Sequence, residues 1–298
     1  MASKKYISLE DKIHSLFSPG SSFTYENLTH IILQSEKPTI SAKGECKTDL
    51  FVKTQTNEDK IKHFRISIKK DDKWFIENKL TLERAKQILG KSAQERIIKH
   101  LLKIEDLFLG QKLIYYYRGN KNIRIGWRFD IGEGKSGHLS EKMDLSDDEK
   151  IEIYSGANLS SDKKNAFVGG EIIKDSGIAD YILIVDTSEY TLQEYVNRME
   201  LISDYAPKID CYFACKGINF RVNHDKWDSD RPLSVWLDWK VVSGELKVDF
   251  VFDDPCVKTC NEVGENIRSI LSNLGVAADN FEDLKGHFDK FNKPFFPN

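Results

Sequence analysis

The chain has 298 residues, 40% hydrophobic and 31% charged, which fits a soluble globular protein with enough sequence for one large domain or two smaller ones. No apolar run approaches membrane-spanning length and Met1-Ala2-Ser3-Lys4-Lys5 lacks the apolar core of a secretory signal, so a cytoplasmic protein is expected. A formal net charge of −3 rules out a uniformly basic surface, although the charges are segregated.

From the N-terminus, Lys4 to Phe17 and Phe23 to Leu33 read as short helices parted by the breaker Ser18-Pro19-Gly20-Ser21-Ser22. Between Gly44 and Lys70 the period changes to two. Thr48, Leu50 and Val52 alternate with Lys47, Asp49 and Phe51, and Phe64, Ile66 and Ile68 alternate with Arg65, Ser67 and Lys69, so a β-hairpin turning through Lys53 to Lys62 is predicted. A turn symmetric about Glu58 sets Asp49 opposite Ser67, with Lys69 on the diagonal at roughly 7 Å. A carboxylate, a hydroxyl and an amine then share one sheet face. Phosphodiester hydrolysis uses such groups: a carboxylate to hold Mg²⁺ against a phosphate oxygen, and a cation to position water and offset developing charge. Asp49 and Lys69 suit the two roles, with the Ile68 carbonyl as a further oxygen ligand. The plainer alternative, a solvated strand face ending in the polar turn Lys69-Lys70-Asp71-Asp72, stays open.

Gly44-Glu45-Cys46-Lys47-Thr48-Asp49, a gap of seventeen residues, then Ser67-Ile68-Lys69 resembles the PD-(D/E)xK nuclease motif. It looks most like type II restriction endonucleases that carry Lys-Thr-Asp before the first strand and replace the second acid by Ser or Asn. The resemblance covers about thirty residues. It implies a restriction-endonuclease-like core, Mg²⁺ as cofactor and double-stranded DNA as partner. By the same resemblance Asp49 is the metal ligand, Ser67 a weaker or water-mediated one, and Lys69 the catalytic lysine. Similar enzymes often take a replacement carboxylate from a helix, and both Glu26, in the second predicted helix, and Glu83, at the start of the next, are candidates, with Glu26 slightly favoured. Lys47 and Lys70 flank the motif as DNA contacts.

Helical periodicity follows over Phe75 to Gly90 and Gln94 to Leu109. Leu113 to Tyr117 and Ile123 to Phe129 flank Gly119-Asn120-Lys121-Asn122, a strong hairpin signal whose bases Arg118, Lys121 and Arg124 alternate with aromatics and could meet phosphates or base edges. Gly132 to Gly170 shows little periodicity and reads as a loop region, within which Lys163, Lys164 and Asn165 are best suited to nucleic acid. Ala179 to Asp186 reads as a buried strand and Thr191 to Ile202 as an amphipathic helix capped near Thr191. Strands are then predicted at Lys208 to Cys215, Ile218 to Val222, Leu233 to Val242 and Leu246 to Phe252, and a helix from about Cys256 to Leu274 stopped by Gly275. Asn219, Arg221, Asn223, Lys226 and Arg231, with His224, Trp227 and Trp236, form the densest run of base-reading and stacking side chains. Cys211, Cys215, Cys256 and Cys260 read as reduced core thiols, with a zinc site the minor alternative.

These readings add up to an α/β protein with a central mixed sheet flanked by helices, taken as a single large domain over 1–298. Its catalytic core is expected at about 20–110 and its DNA-recognition elements at about 111–298. The expected function is Mg²⁺-dependent, sequence-specific cleavage of double-stranded DNA by a monomer or homodimer. A structure-specific repair nuclease of the same fold and a non-catalytic DNA-binding protein remain as alternatives.

Overall fold

A computed structural model describes residues 2–41, 44–71, 75–117, 120–220 and 231–277. In chain order its first elements are α1 (Ala2–Leu16), β1 (Ser22–Tyr25), β2 (Leu28–Glu36), β3 (Leu50–Thr56), β4 (Ile61–Lys70), β5 (Phe75–Glu77), α2 (Leu82–Leu89), α3 (Ala93–Leu102), α4 (Glu105–Leu109), β6 (Ile114–Tyr117), β7 (Asn120–Gly132) and β8 (Ser140–Lys142). Then come α5 (Asp147–Ser155), α6 (Ser161–Lys164), β9 (Phe167–Val168), β10 (Glu171–Ile172), β11 (Tyr181–Val185), α7 (Leu192–Arg198), β12 (Glu200–Leu201), α8 (Ile202–Tyr205), β13 (Tyr212–Asn219), β14 (Val235–Val242), β15 (Glu245–Val251) and α9 (Cys260–Asn273). The chain is mixed α/β, and its packing divides it into two compact units, residues 1–74 with 145–209 and residues 75–144 with 210–298. No helix among the described residues is long and apolar enough to cross a membrane.

Unit 1 is built on a six-stranded mixed sheet in the order β1-β2-β3-β4-β11-β12. Neighbours run antiparallel except β4 and β11, which are parallel and pair Ile66 with Tyr181 through Lys70 with Val185. The hairpin of β3 and β4 has the predicted register: Leu50 pairs with Ile66 and Gln55 with Ile61, which is symmetric about Glu58. Leu50, Val52, Phe64, Ile66 and Ile68 are fully buried in one core with Ile13 of α1, Phe17 just after it, and Tyr195 and Val196 of α7. On the alternate face Phe51 and Ser67 are also buried, so the hairpin is central and covered on both sides instead of half-solvated.

Unit 2 is organised on β7, thirteen residues long, within a seven-stranded sheet. Strands β5, β6, β13 and β14 all pair antiparallel with it. Its core stacks Phe129 on Phe213 at 5.1 Å and sets Phe108 edge-on to Trp127 at 5.2 Å. Gly126 is required where β14 crosses, because a Cβ there would stand 2.5 Å from the Val235 carbonyl. Cys211, Cys215, Cys256 and Cys260 are buried free thiols of this unit.

Three expectations of secondary structure are corrected. Phe23 to Leu33 is not a helix but the β1–β2 hairpin, with Glu26 and Asn27 both at positive φ in a two-residue turn, as type I′ geometry requires. The spacing of Leu28, Ile31 and Ile32 imitated a helical face, while the burial alternation of His30 and Ile32 against Ile31 and Leu33 is that of a strand. Phe75 to Glu77 is a strand on β7, and the helix begins at Leu82, where the Thr81 side chain accepts from the Arg84 N–H at 3.1 Å. Within 132–170, α5 is a regular helix. Its signal is the capping box Ser146-Asp147-Asp148-Glu149, which sequence reasoning passed over in an acidic run. The boundary expected near residue 110 falls inside unit 2, and the sheet that carries Asp49 takes β11 and β12 from beyond it.

Candidate active site

Asp49 stands one residue ahead of β3, where its N–H donates to the Ile66 carbonyl at 2.9 Å and continues the hairpin ladder. Three donors converge on its Oδ2: the Ser67 hydroxyl at 3.2 Å, the Ile68 N–H at 2.8 Å and the Lys69 ammonium at 3.4 Å. Period-two alternation and the hairpin register bring the first and third there; the second arises because β3 begins only at Leu50 and the carboxylate takes over the next backbone donor. Donors to a carboxylate are worth about 1.5–3 kcal/mol each, so the group is fixed by local structure before any ligand arrives. The Asp49 and Lys69 side chains keep 21% and 27% of their exposure, whereas Ser67 is buried. The predicted trio therefore meets, with Ser67 positioning the carboxylate. The backbone group of Ile68 that reaches Asp49 is its N–H, not the carbonyl expected to hold metal.

Glu26, the glutamate favoured from sequence, does not join the trio. Glu26 caps the far hairpin and pairs with Lys62 at 2.8 Å, and Lys62 is seven residues along β4 from Lys69, about 23 Å of strand. Glu83 belongs to the other unit, in the first turn of α2, where it accepts from the Gln87 amide. The carboxylate that sequence reasoning missed is Glu10, on α1. It is 13% exposed and accepts from Lys37 at 3.2 Å, and one turn further along α1 the His14 Nε2 lies 3.1 Å from the Asp49 carbonyl. Burial opposes the Lys37 charge, yet Glu10, with Asp49 and Glu45, holds its pKa above the ordinary lysine value. Burial pushes the His14 pKa down, and it raises the Cys46 thiol with help from Asp49. Only the i, i+4 spacing of Glu10 and His14 could have flagged this face.

Neither a family model, nor a curated protein, nor a solved structure matches this chain.

The donor set can be tested against Mg²⁺. That ion takes one or two carboxylates and completes its shell with water and substrate phosphate. Asp49 offers a partly exposed carboxylate whose three local donors all meet one oxygen, which fits an ion held by a single protein acid. Among the described residues no three His, Cys, Asp or Glu side chains form a metal-holding group, so a cage of protein ligands does not fit.

Around Asp49, Lys47 is half-buried with its N–H on the Gly177 carbonyl at 2.9 Å, and Lys70 pairs with Val185 across the sheet. Lys163 lies beside the same approach, its Nζ 3.3 Å from where a Gly44 Cβ would stand. The remaining DNA-reading candidates divide. Asn165 uses its amide within the chain, Oδ1 accepting from the Asp175 N–H at 3.0 Å and Nδ2 donating to Ser161 Oγ at 3.1 Å. Arg124 turns inward, donating to the Tyr115 hydroxyl at 2.7 Å over the Tyr115 and Trp127 rings, and burial lowers its pKa. Asn219 joins that network through Tyr115 and Asn122. A buried, partnered guanidinium or amide is framework, so Arg124 and Asn219 are corrected from base readers to packing residues. The Arg231 carbonyl accepts from the Cys260 N–H. Arg118, Arg221, Asn223 and Lys226 lie outside the described residues, as does the side chain of Lys121.

Proposed function

We propose that this protein is a Mg²⁺-dependent endonuclease of double-stranded DNA, of the type II restriction kind. One observation carries the reading: Asp49, just ahead of β3, and Lys69, on the adjacent β4, bring a carboxylate oxygen and an ammonium to 3.4 Å while both remain partly open to solvent. Bound Mg²⁺ would polarise the scissile phosphate and acidify water. Asp49 is the residue to hold it, with Ser67 and the Ile68 N–H fixing the carboxylate's direction. Lys69 is placed to orient the attacking water and to offset charge on the pentacovalent phosphorus. Glu10 is already engaged by Lys37, so in this reading Asp49 is the single protein acid on the metal.

Incubating plasmid DNA with the protein and Mg²⁺, then sequencing the cut ends, tests the reading, with EDTA as control. Asp49→Asn retains an acceptor for the Ile68 N–H but loses the charge. Its cleavage should fall by more than about 100-fold with duplex binding and melting temperature kept, and Lys69→Ala should do likewise. Asp49→Ala should additionally lose about 1–3 kcal/mol of stability, because the Ile68 donor is left unsatisfied. Unchanged cleavage by Asp49→Asn and Lys69→Ala overturns the assignment.

A further inference from the structure

A groove of about 430 Å³ opens in unit 1 between α6 and β10, lined by Ser161, Lys164, Asn165, Ile172, Lys174 and Asp175. Its wall is held rigidly. Arg65 clasps both carboxylate oxygens of Asp180 at 2.6 Å and donates a third hydrogen bond to the Asp175 carbonyl at 2.8 Å. Asn165 closes the other side through its bonds to Asp175 and Ser161. Neither lysine ammonium has an ion-pair partner among the described residues. Two lysines against one aspartate leave the lining with an excess positive charge.

The groove is tied to Asp49 by a short run of backbone. Gly177 follows Asp175 by two residues, and its carbonyl accepts from the N–H groups of Lys47 and Thr48 at 2.9 and 3.3 Å, immediately ahead of Asp49. At about 3.8 Å per residue step, groove and carboxylate lie within about 20 Å of each other. Arg65 fixes the same relation from the other side, since it stands two residues before Ser67 on β4. The distance between the two features is therefore set by hydrogen-bonded structure.

A nuclease must hold its substrate's backbone at points other than the bond it breaks, because phosphate contacts set register along the strand. We propose that this groove is a subsite for one backbone phosphate of the DNA strand being cut, with Lys164 and Lys174 as its paired cations. It lies within about six nucleotides of the scissile bond at 3.4 Å rise per nucleotide. Ile172, 64% exposed at the groove's edge, packs on the neighbouring sugar. This inference rests on the nuclease reading and names a part of its substrate contact that Asp49 and Lys69 do not supply.

The test uses the full chain with duplex DNA carrying its cut sequence, Ca²⁺ replacing Mg²⁺ so that binding is read without cleavage. Single neutral methylphosphonates are placed at successive positions on each strand. For wild type, one position within six nucleotides of the cut should weaken binding on neutralisation. Lys164→Ala with Lys174→Ala should bind intact DNA more weakly, show a salt slope shallower by about 1, and be indifferent to neutralisation at that one position. A double variant with unchanged affinity, slope and interference pattern, in a protein whose wild type cuts DNA, overturns the subsite alone. A wild type that neither binds nor cuts duplex DNA overturns the nuclease reading and the subsite with it.

Discussion

Asp49 shows how much a single residue's surroundings decide. A carboxylate at the mouth of a strand usually ends in water, but here it replaces the next rung of the ladder, and the Ile68 N–H, the Ser67 hydroxyl and the Lys69 ammonium all turn to it. A neutral serine suits position 67, because that position is buried and a charge there would have to be desolvated. A different buried residue gives unit 2 a pH-dependent contribution to stability. His100, 5% exposed against Phe213, has no hydrogen-bond partner for Nδ1 among the described residues, and burial, aided by Lys103 and Arg96, lowers its pKa to about 4. The fold therefore favours the neutral ring. Its stabilisation is complete above the unfolded value near 6.5 and is lost as pH falls toward 4, by about 2 kcal/mol at pH 5. Thermal melts at pH 7.5 and pH 5 should show this loss in wild type and a smaller one in His100→Phe; identical pH dependence in the two proteins removes His100 as the cause.

Among the elements, the β3–β4 hairpin was the most legible, because strict alternation with one polar connection admits few registers, and the expected pairing about Glu58 is the observed one. The helix at Leu192–Arg198 was equally open to reading: Thr191 and Glu194 form a reciprocal capping box. The β1–β2 hairpin was misread since Glu26-Asn27 lacks the glycine that usually announces a type I′ turn. What fixes the elements to one another is less visible in sequence. Gly177 sits so close to the Lys163 carbonyl and Cys46 that a Cβ would collide with the former and stand 2.9 Å from the latter. Gly177→Ala should thus part α6 from the segment carrying Asp49, lowering the proposed cleavage at least about tenfold and the melting temperature by several degrees, since a relaxed overpacked site costs about 1–3 kcal/mol. Activity and melting equal to wild type would show that the backbone approach is not needed there.

For the molecule as a whole, chain order and spatial order disagree. Each compact unit is made from two separate stretches, and β7, central in unit 2, receives β13 and β14 from beyond residue 209. A chain ending at residue 209 would leave β7 without β13 and β14, one long edge bare and its Trp127 and Phe129 uncovered, which favours aggregation. Such a truncation should be recovered mainly as insoluble or oligomeric protein by size exclusion. The same truncation with residues 75–144 replaced by a short Gly/Ser linker should be soluble and keep cooperative melting, because the six-stranded sheet then loses none of its strands. A soluble monomer from the first, or an unfolded second, would contradict the two-unit packing.

Local pattern alone determined what depends on neighbours in sequence: the mixed α/β class, the central hairpin and its register, and the meeting of Asp49, Ser67 and Lys69, since alternation and turn symmetry are short-range constraints. Tertiary structure decided what depends on distant segments. It set His14 of α1 against the Asp49 carbonyl and held Glu26 at the β1–β2 turn with Lys62. It turned Arg124 and Asn219 inward, and it joined residues 161–177 to the strand at Lys47. A side chain's residue type is written locally, but whether it faces solvent, a neighbour or a substrate is set by packing across the fold, and one chain's spacing does not encode that packing.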